Sequence, residues 1–290
     1  MSSSTQTGAV LVLGGTGKVG GQIAPLLHAA GVPTLVASRS GEAPSGAGTG
    51  VKFDWDDETT WEPVFANPVK AVFLVASRSP DPVPIMTKFV DFARAKGVSR
   101  FVLLSASSIE EGGPLTGGMH KYLRELGDGG KIGWAVLRPT WFQENFLIPP
   151  HVGSIKEENK IYSATGAGRI PWVSTRDIAA VGVHALTAAQ PPNTDLLILG
   201  PELLTYSDLA ATLTSILGRK IEYHELSEAE LAARYETFGI PGAYATVLAA
   251  MDTAIKGGSE DRTSAVIREI TGKVGRRFAE FVEANKAAWS

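Results

Sequence analysis

No cysteine occurs anywhere in the 290 residues. Disulfides, thiolate metal ligands and a cysteine nucleophile are excluded together. Histidine is scarce: His28, His120, His151, His184 and His224 are scattered singly, without metal-ligand spacing. Apolar runs are short, and none approaches the ~20 residues that span a bilayer. Met1–Thr7 is a polar stretch with neither a basic start nor an apolar signal core, so a cytoplasmic protein with no membrane partner is expected. An excess of one charge is lacking as well. The net charge of −3 gives no electrostatic reason to expect nucleic acid. What remains has the composition of an ordinary globular protein, long enough for one large domain or two modest ones.

The most informative stretch lies near the start. A hydrophobic strand, Ala9–Leu13, runs into Gly14-Gly15-Thr16-Gly17-Lys18-Val19-Gly20, and a helical pattern follows through Ile23, Leu26 and Leu27 to Gly31. This is the phosphate end of a dinucleotide site. Gly14 allows the tight turn, Gly17 lets backbone approach a pyrophosphate, and Gly20 lets helix pack on strand. The N–H groups and dipole of the helix start favour the negative charge. Thr16, Lys18 and Val19 are assigned to the same site. A Walker loop does not fit, because Lys18 precedes Val19 rather than Ser or Thr.

Strands and helices then alternate. Strands are expected at Pro33–Arg39, Val51–Trp55, Ala71–Ala76, Arg100–Ser105 and Gly133–Arg138, with helices around Ile85–Lys96 and His120–Leu126. Alternation of this kind argues an α/β fold, a Rossmann-type doubly wound parallel sheet. Past Pro139 the character changes. Pro149-Pro150 breaks the chain and Arg169–Val173 reads as extended. Asp177–Ala189 reads as a helix and Leu196–Leu199 as a strand, while the remainder from Thr205 is mostly helical. The expected organisation is a nucleotide-binding domain over residues 1–150, with 170–200 returning to its sheet. Residues 151–169 and 201–290 form a smaller, mostly helical substrate subdomain.

The end of the second strand selects the cofactor. An NAD site carries Asp or Glu about 20 residues beyond the glycines. Here Ser38-Arg39 stands in that place, and no carboxylate occurs before Glu42. A guanidinium suits a phosphate, so NADPH/NADP+ is expected. Asp54 is placed to bond an adenine amino group, and Ala76, ending the fourth strand, is assigned to the same site. For Trp55, packing near that ring and plain core packing are equally good readings.

Dehydrogenases of the short-chain type carry Tyr-x-x-x-Lys on the helix after the fifth strand, where lysine lowers the tyrosine pKa for proton transfer. None of the six tyrosines here has lysine four residues later. The corresponding helix carries Met119-His120-Lys121-Tyr122 instead, although Ser105 does end the fifth strand. Reduction of a carbonyl needs a proton for the developing alkoxide, whereas reduction of an iminium does not. Ser105 and His120 are the candidate catalytic residues, His120 either bonding a ribose hydroxyl or donating a proton. Downstream lies Leu137-Arg138-Pro139-Thr140-Trp141-Phe142-Gln143-Glu144-Asn145-Phe146. Pro139 is expected to shape a turn against the nicotinamide. Trp141, Phe142 and Phe146 offer an apolar wall, core packing being the equal alternative, and Asn145 is grouped with the substrate contacts.

The glycine turn with Lys18, Ser38-Arg39, Phe101–Ser108, Leu137–Phe146, Leu199–Tyr206 and Leu217–Lys220 together resemble the NmrA-like branch of atypical short-chain dehydrogenases. Within it, the chain is most similar to the fungal ergot-alkaloid clavine dehydrogenases. Phe53-Asp54-Trp55, Gly113-Pro114, His120, Tyr162–Thr165, Ala250-Met251-Asp252 and Phe281-Val282-Glu283 carry that likeness. Lys121-Tyr122 and the polar N-terminal extension depart from it. The resemblance implies NADPH-dependent reduction of a cyclic iminium to a clavine such as festuclavine or agroclavine, the partner being a small hydrophobic amine or iminium. Two alternatives stay open. One is a C=O or C=C reductase using His120 or water as proton donor; the other is a non-catalytic NADP(H)-sensing regulator. A homo-oligomer also stays open.

Overall fold

The computed structural model describes residues 8–290; Met1–Thr7, read above as a polar stretch, lies outside the described residues. Among the described residues nine strands form. They are β1 (Ala9–Val12), β2 (Thr34–Ser38), β3 (Thr49–Lys52), β4 (Val69–Leu74), β5 (Arg100–Leu104), β6 (Gly133–Pro139), β7 (Lys160–Ser163), β8 (Thr194–Ile198) and β9 (Glu222–Glu225). Seven make one parallel sheet in the order β3-β2-β1-β4-β5-β6-β8. Val10, Leu11, Val12, Phe101, Val102 and Leu103 are all fully buried, which is why these strands read as unbroken apolar runs: helices cover both faces. The order reverses at β1, flanked by β2 and β4, and ligands of open α/β sheets bind at such a switch point.

On one face, helices α2 (Val83–Ala95) and α3 (Gly117–Asp128) bury Met86, Phe89, Met119 and Leu123 against Leu11, Val72, Phe101 and Val136. On the other, helix α4 (Thr175–Thr187) packs close to α1 (Gly20–Ala29). A Cβ on Gly182 would stand 3.0 Å from Ile23 and 3.3 Å from Leu137, so only hydrogen fits without a shift.

The chain divides into two compact units. The first runs to Pro139 and resumes over Thr175–Ile198, which brings α4 and β8 to the sheet. The second holds Thr140–Ser174 and Leu199–Ser290. The break falls at Pro139 rather than residue 150, because the chain beyond it joins a different core. Phe146 and Trp172 pack there with Tyr206, Phe278, Phe281 and Trp289. Helices of this unit are α5 (Tyr206–Leu217), α6 (Glu228–Thr237), α7 (Gly242–Lys256), α8 (Val266–Thr271) and α9 (Phe278–Asn285). Capping boxes at Thr205/Asp208 and Ser227/Glu230 start α5 and α6 by satisfying their first N–H groups.

Two strand ends differ from expectation. The third strand ends at Lys52, not Trp55, because the chain turns at Asp54: its N–H donates to Thr60 Oγ1 at 3.0 Å, and Trp61 Nε1 donates to its carbonyl at 3.1 Å. The fourth strand ends at Leu74, which moves Val75, Ala76 and the residues after them into a loop. In keeping with its extended reading, Arg169–Val173 makes single bridges from Ile170 to Leu204 and from Val173 to Phe142. The parallel β7–β9 pair was not expected at all, since Glu-Tyr-His-Glu has no apolar face to announce it. Among the described residues, no helix is long and apolar enough to cross a membrane.

Candidate active site

The glycine turn after β1 is built from backbone that has no room for side chains. Gly14 has φ +60°, a left-handed conformation. Gly17 N–H donates to Gly14 O at 2.8 Å and closes the turn. A Cβ on Gly20 would lie 2.3 Å from that same oxygen, and one on Gly15 would lie 2.6 Å from Val36. Thr16, Gly17 and Lys18 stay exposed while Val19 and Gly20 are buried, so the turn presents one edge outward and packs the other. Val19 is the residue from which α1 begins.

A groove of about 330 Å³ opens at this turn. The sequence candidates Gly14, Thr16, Gly17, Ser38, Arg39, Asp54 and Ala76 line it together, having come from four separate segments. Ser38 has its hydroxyl engaged, donating to Glu42 O at 2.9 Å, while Asp54 Oδ1 accepts from Asp56 N–H at 3.1 Å. Trp55 lines the groove and also packs as core, meeting Phe53 and Phe89 edge-on at 5.1 and 5.3 Å. Arg78 lines the groove as well and was missed, because sequence rules look for a cation only after the second strand. The lining suits a dinucleotide: the backbone of Gly14 and Gly17 opens beside Arg39 and Arg78, with Asp54 and Trp55 along the same groove.

Past β5, Ser105 Oγ pairs with Thr116 Oγ1 at 2.8 Å, and His120 N–H donates to Thr116 O at 2.9 Å. Thr116 was also missed, since only the folding of its glycine-rich loop brings it to Ser105. His120 is 3% exposed, its ring centroid 5.9 Å from that of Trp134, and its Nδ1 has no hydrogen-bond partner among the described residues. Burial lowers its pKa against the pull of Asp195 and Glu111, so the imidazole is neutral at neutral pH. Tyr122, two residues further along α3, donates its hydroxyl to Asp91 at 2.6 Å. Burial and that bond push its pKa up to about 12, opposite to what a proton-transferring tyrosine needs.

The loop carrying Ser107 is pinned by Arg138, whose guanidinium donates to Ser107 O, Glu110 and Asp195 at 3.1, 2.5 and 2.8 Å. Burial opposes this charge, and the two carboxylates outweigh it, raising the arginine pKa further. Pro139, the last residue of β6, is buried and accepts Ser107 N–H at 2.8 Å.

In the second unit, Trp141, Phe142 and Asn145 are half-buried. Trp141 O accepts Val173 N–H at 3.0 Å, and its ring packs 6.5 Å from Trp172. Phe146 is not wall but core: it is fully buried, 5.1 Å from Trp172 and 5.3 Å from Phe278.

Comparison with known proteins points to the same class of cofactor. A family model described as NAD(P)H-binding matches residues 14–189. The chain is 44% identical over 289 residues to festuclavine dehydrogenase easG of Aspergillus fumigatus, covering 97% of this chain and 98% of that protein. It is 42% identical over 287 residues to agroclavine dehydrogenase of Claviceps fusiformis, with 97% and 98% covered. The crystal structure of Citrobacter sp. triphenylmethane reductase complexed with NADP(H) superposes with a TM-score of 0.78 at 21% identity, covering 95% of this chain and 99% of that one.

Proposed function

The chain belongs to the NAD(P)H-binding oxidoreductase family that includes the festuclavine and agroclavine dehydrogenases, and from that membership we propose that it reduces a cyclic iminium with NADPH to a clavine-type amine. The observation that carries the proposal is the proton inventory beside Ser105. Ser105 and Thr116 are ordinary alcohols sharing one hydrogen bond, burial holds His120 toward its neutral form, and Tyr122 holds its proton against Asp91. Such a set has no strong acid to offer an alkoxide. Hydride addition to C=N⁺ quenches the positive charge and consumes no proton.

When bound, the nicotinamide supplies the hydride. The chain's own contribution is to hold and orient. Gly14, Thr16, Gly17, Lys18, Val19 and Gly20 hold the pyrophosphate. Ser38 and Arg39 hold the 2′-phosphate, Asp54 the adenine, and Ala76 and Pro139 the remainder of the cofactor. Ser105 and His120 bond neutral groups rather than transfer a proton, while Trp141, Phe142 and Asn145 contact the hydrophobic amine. Incubation with NADPH and a cyclic iminium is expected to oxidise NADPH and yield the matching amine by mass spectrometry. NADPH loss no faster than in the enzyme-free control overturns the proposal.

A further inference from the structure

Arg78 sits in the loop after β4 and lines the same groove as Arg39, which follows β2. The strand order places β1 between β2 and β4, so the two arginines approach the glycine turn from its two sides. Adjacent strands lie about 4.8 Å apart, which separates these two strand ends by roughly 10 Å. Two arginine side chains, each with a long flexible stem, bridge such a gap onto one anion. Both side chains are exposed, and neither guanidinium has a hydrogen bond or ion pair among the described residues. Asp54 and Asp56 line the groove too, yet neither pairs with an arginine. An arginine pair left unneutralised beside available carboxylates suits a doubly charged phosphate monoester better than a diester.

We propose that Arg78 is a second 2′-phosphate contact, acting with Arg39 as a two-sided clamp that sets preference for NADP(H) over NAD(H). The inference rests on the cofactor reading above and extends it to a residue outside the second strand. Adenosine 2′,5′-bisphosphate, NADP+, ADP and NAD+ serve as probes, with binding followed by calorimetry. In Arg78→Ala, the dissociation constants for NADP+ and the bisphosphate rise roughly tenfold, about what one charge-assisted bond at an exposed site gives. Those for ADP and NAD+ stay within about twofold, Arg78→Lys recovers part of the loss, and the melting temperature is unchanged. Equal weakening of NADP+ and NAD+, or no weakening of either while Arg39→Ala loses its discrimination, overturns the inference and leaves the cofactor reading standing. Wild-type protein that binds NAD+ as tightly as NADP+ overturns that reading, and the inference with it.

Discussion

At the scale of single residues, the glycine turn shows how much one missing atom decides. Gly20 tolerates no Cβ, because the nearest contact is backbone oxygen at 2.3 Å, not a movable side chain. Gly20→Ala is therefore expected to push α1 off the turn, lowering the melting temperature by several degrees and weakening NADP+ at least ~10-fold. A variant that binds normally contradicts this account of the turn. Asp252 is a second deciding residue. It lies on α7 at 2% exposure, with one backbone bond from Ala164 N–H at 3.0 Å, and burial raises its pKa to about 7 from 3.8. The folded state thus keeps a proton that the unfolded chain releases, so this residue's contribution falls as pH rises from about 4 to 7 and is flat above. Asp252→Asn keeps the acceptor and removes the charge. Its stability should exceed that of wild type at pH 8 by at most about a few kcal/mol, read as a higher melting temperature, and the difference should vanish near pH 4. A gain equal at both pH values contradicts it. The glycines and Arg39 were legible because their chemistry resides in residue type and spacing. Arg78, Thr116 and the neutral state of His120 were not, since a groove, a loop contact and burial against Trp134 are all products of distant chain.

At the scale of elements, ends matter more than middles. Helix α4 finishes where Arg100, from the start of β5, donates Nη1 to the carbonyls of Leu186 and Ala188 at 3.1 and 2.7 Å. Burial lowers the Arg100 pKa, yet these last-turn carbonyls take up its Nη1 and the helix dipole favours the charge. Arg100→Met is expected to cost about 1–2 kcal/mol in stability and to leave NADP+ binding unchanged, as read by thermal melts and calorimetry. An unaltered melting temperature contradicts that capping role. Strand and helix interiors were legible from apolar runs and helical spacing. Their ends were not: β3 stops early because Thr60 and Trp61 capture Asp54, two contacts that no local pattern encodes.

At the scale of the whole molecule, the doubly wound sheet was legible because alternating elements with buried strands leave few other arrangements. The β7–β9 pair was not, because Ile161 and Tyr223 find their core partners only in distant chain, among residues such as Tyr206 and Phe281. The central claim concerns chemistry, and it divides iminium from carbonyl reduction by their need for a proton. The most direct test compares His120→Ala with wild type on two NADPH-dependent reductions, one of an N-alkyl cyclic iminium and one of a carbonyl compound of matching shape. The account predicts that wild type turns over the iminium in strong preference to the carbonyl, and that the variant keeps iminium turnover within about fivefold, less than the ~10²-fold or more that a general acid contributes. Preferred turnover of the carbonyl, collapsing in the variant, would contradict it.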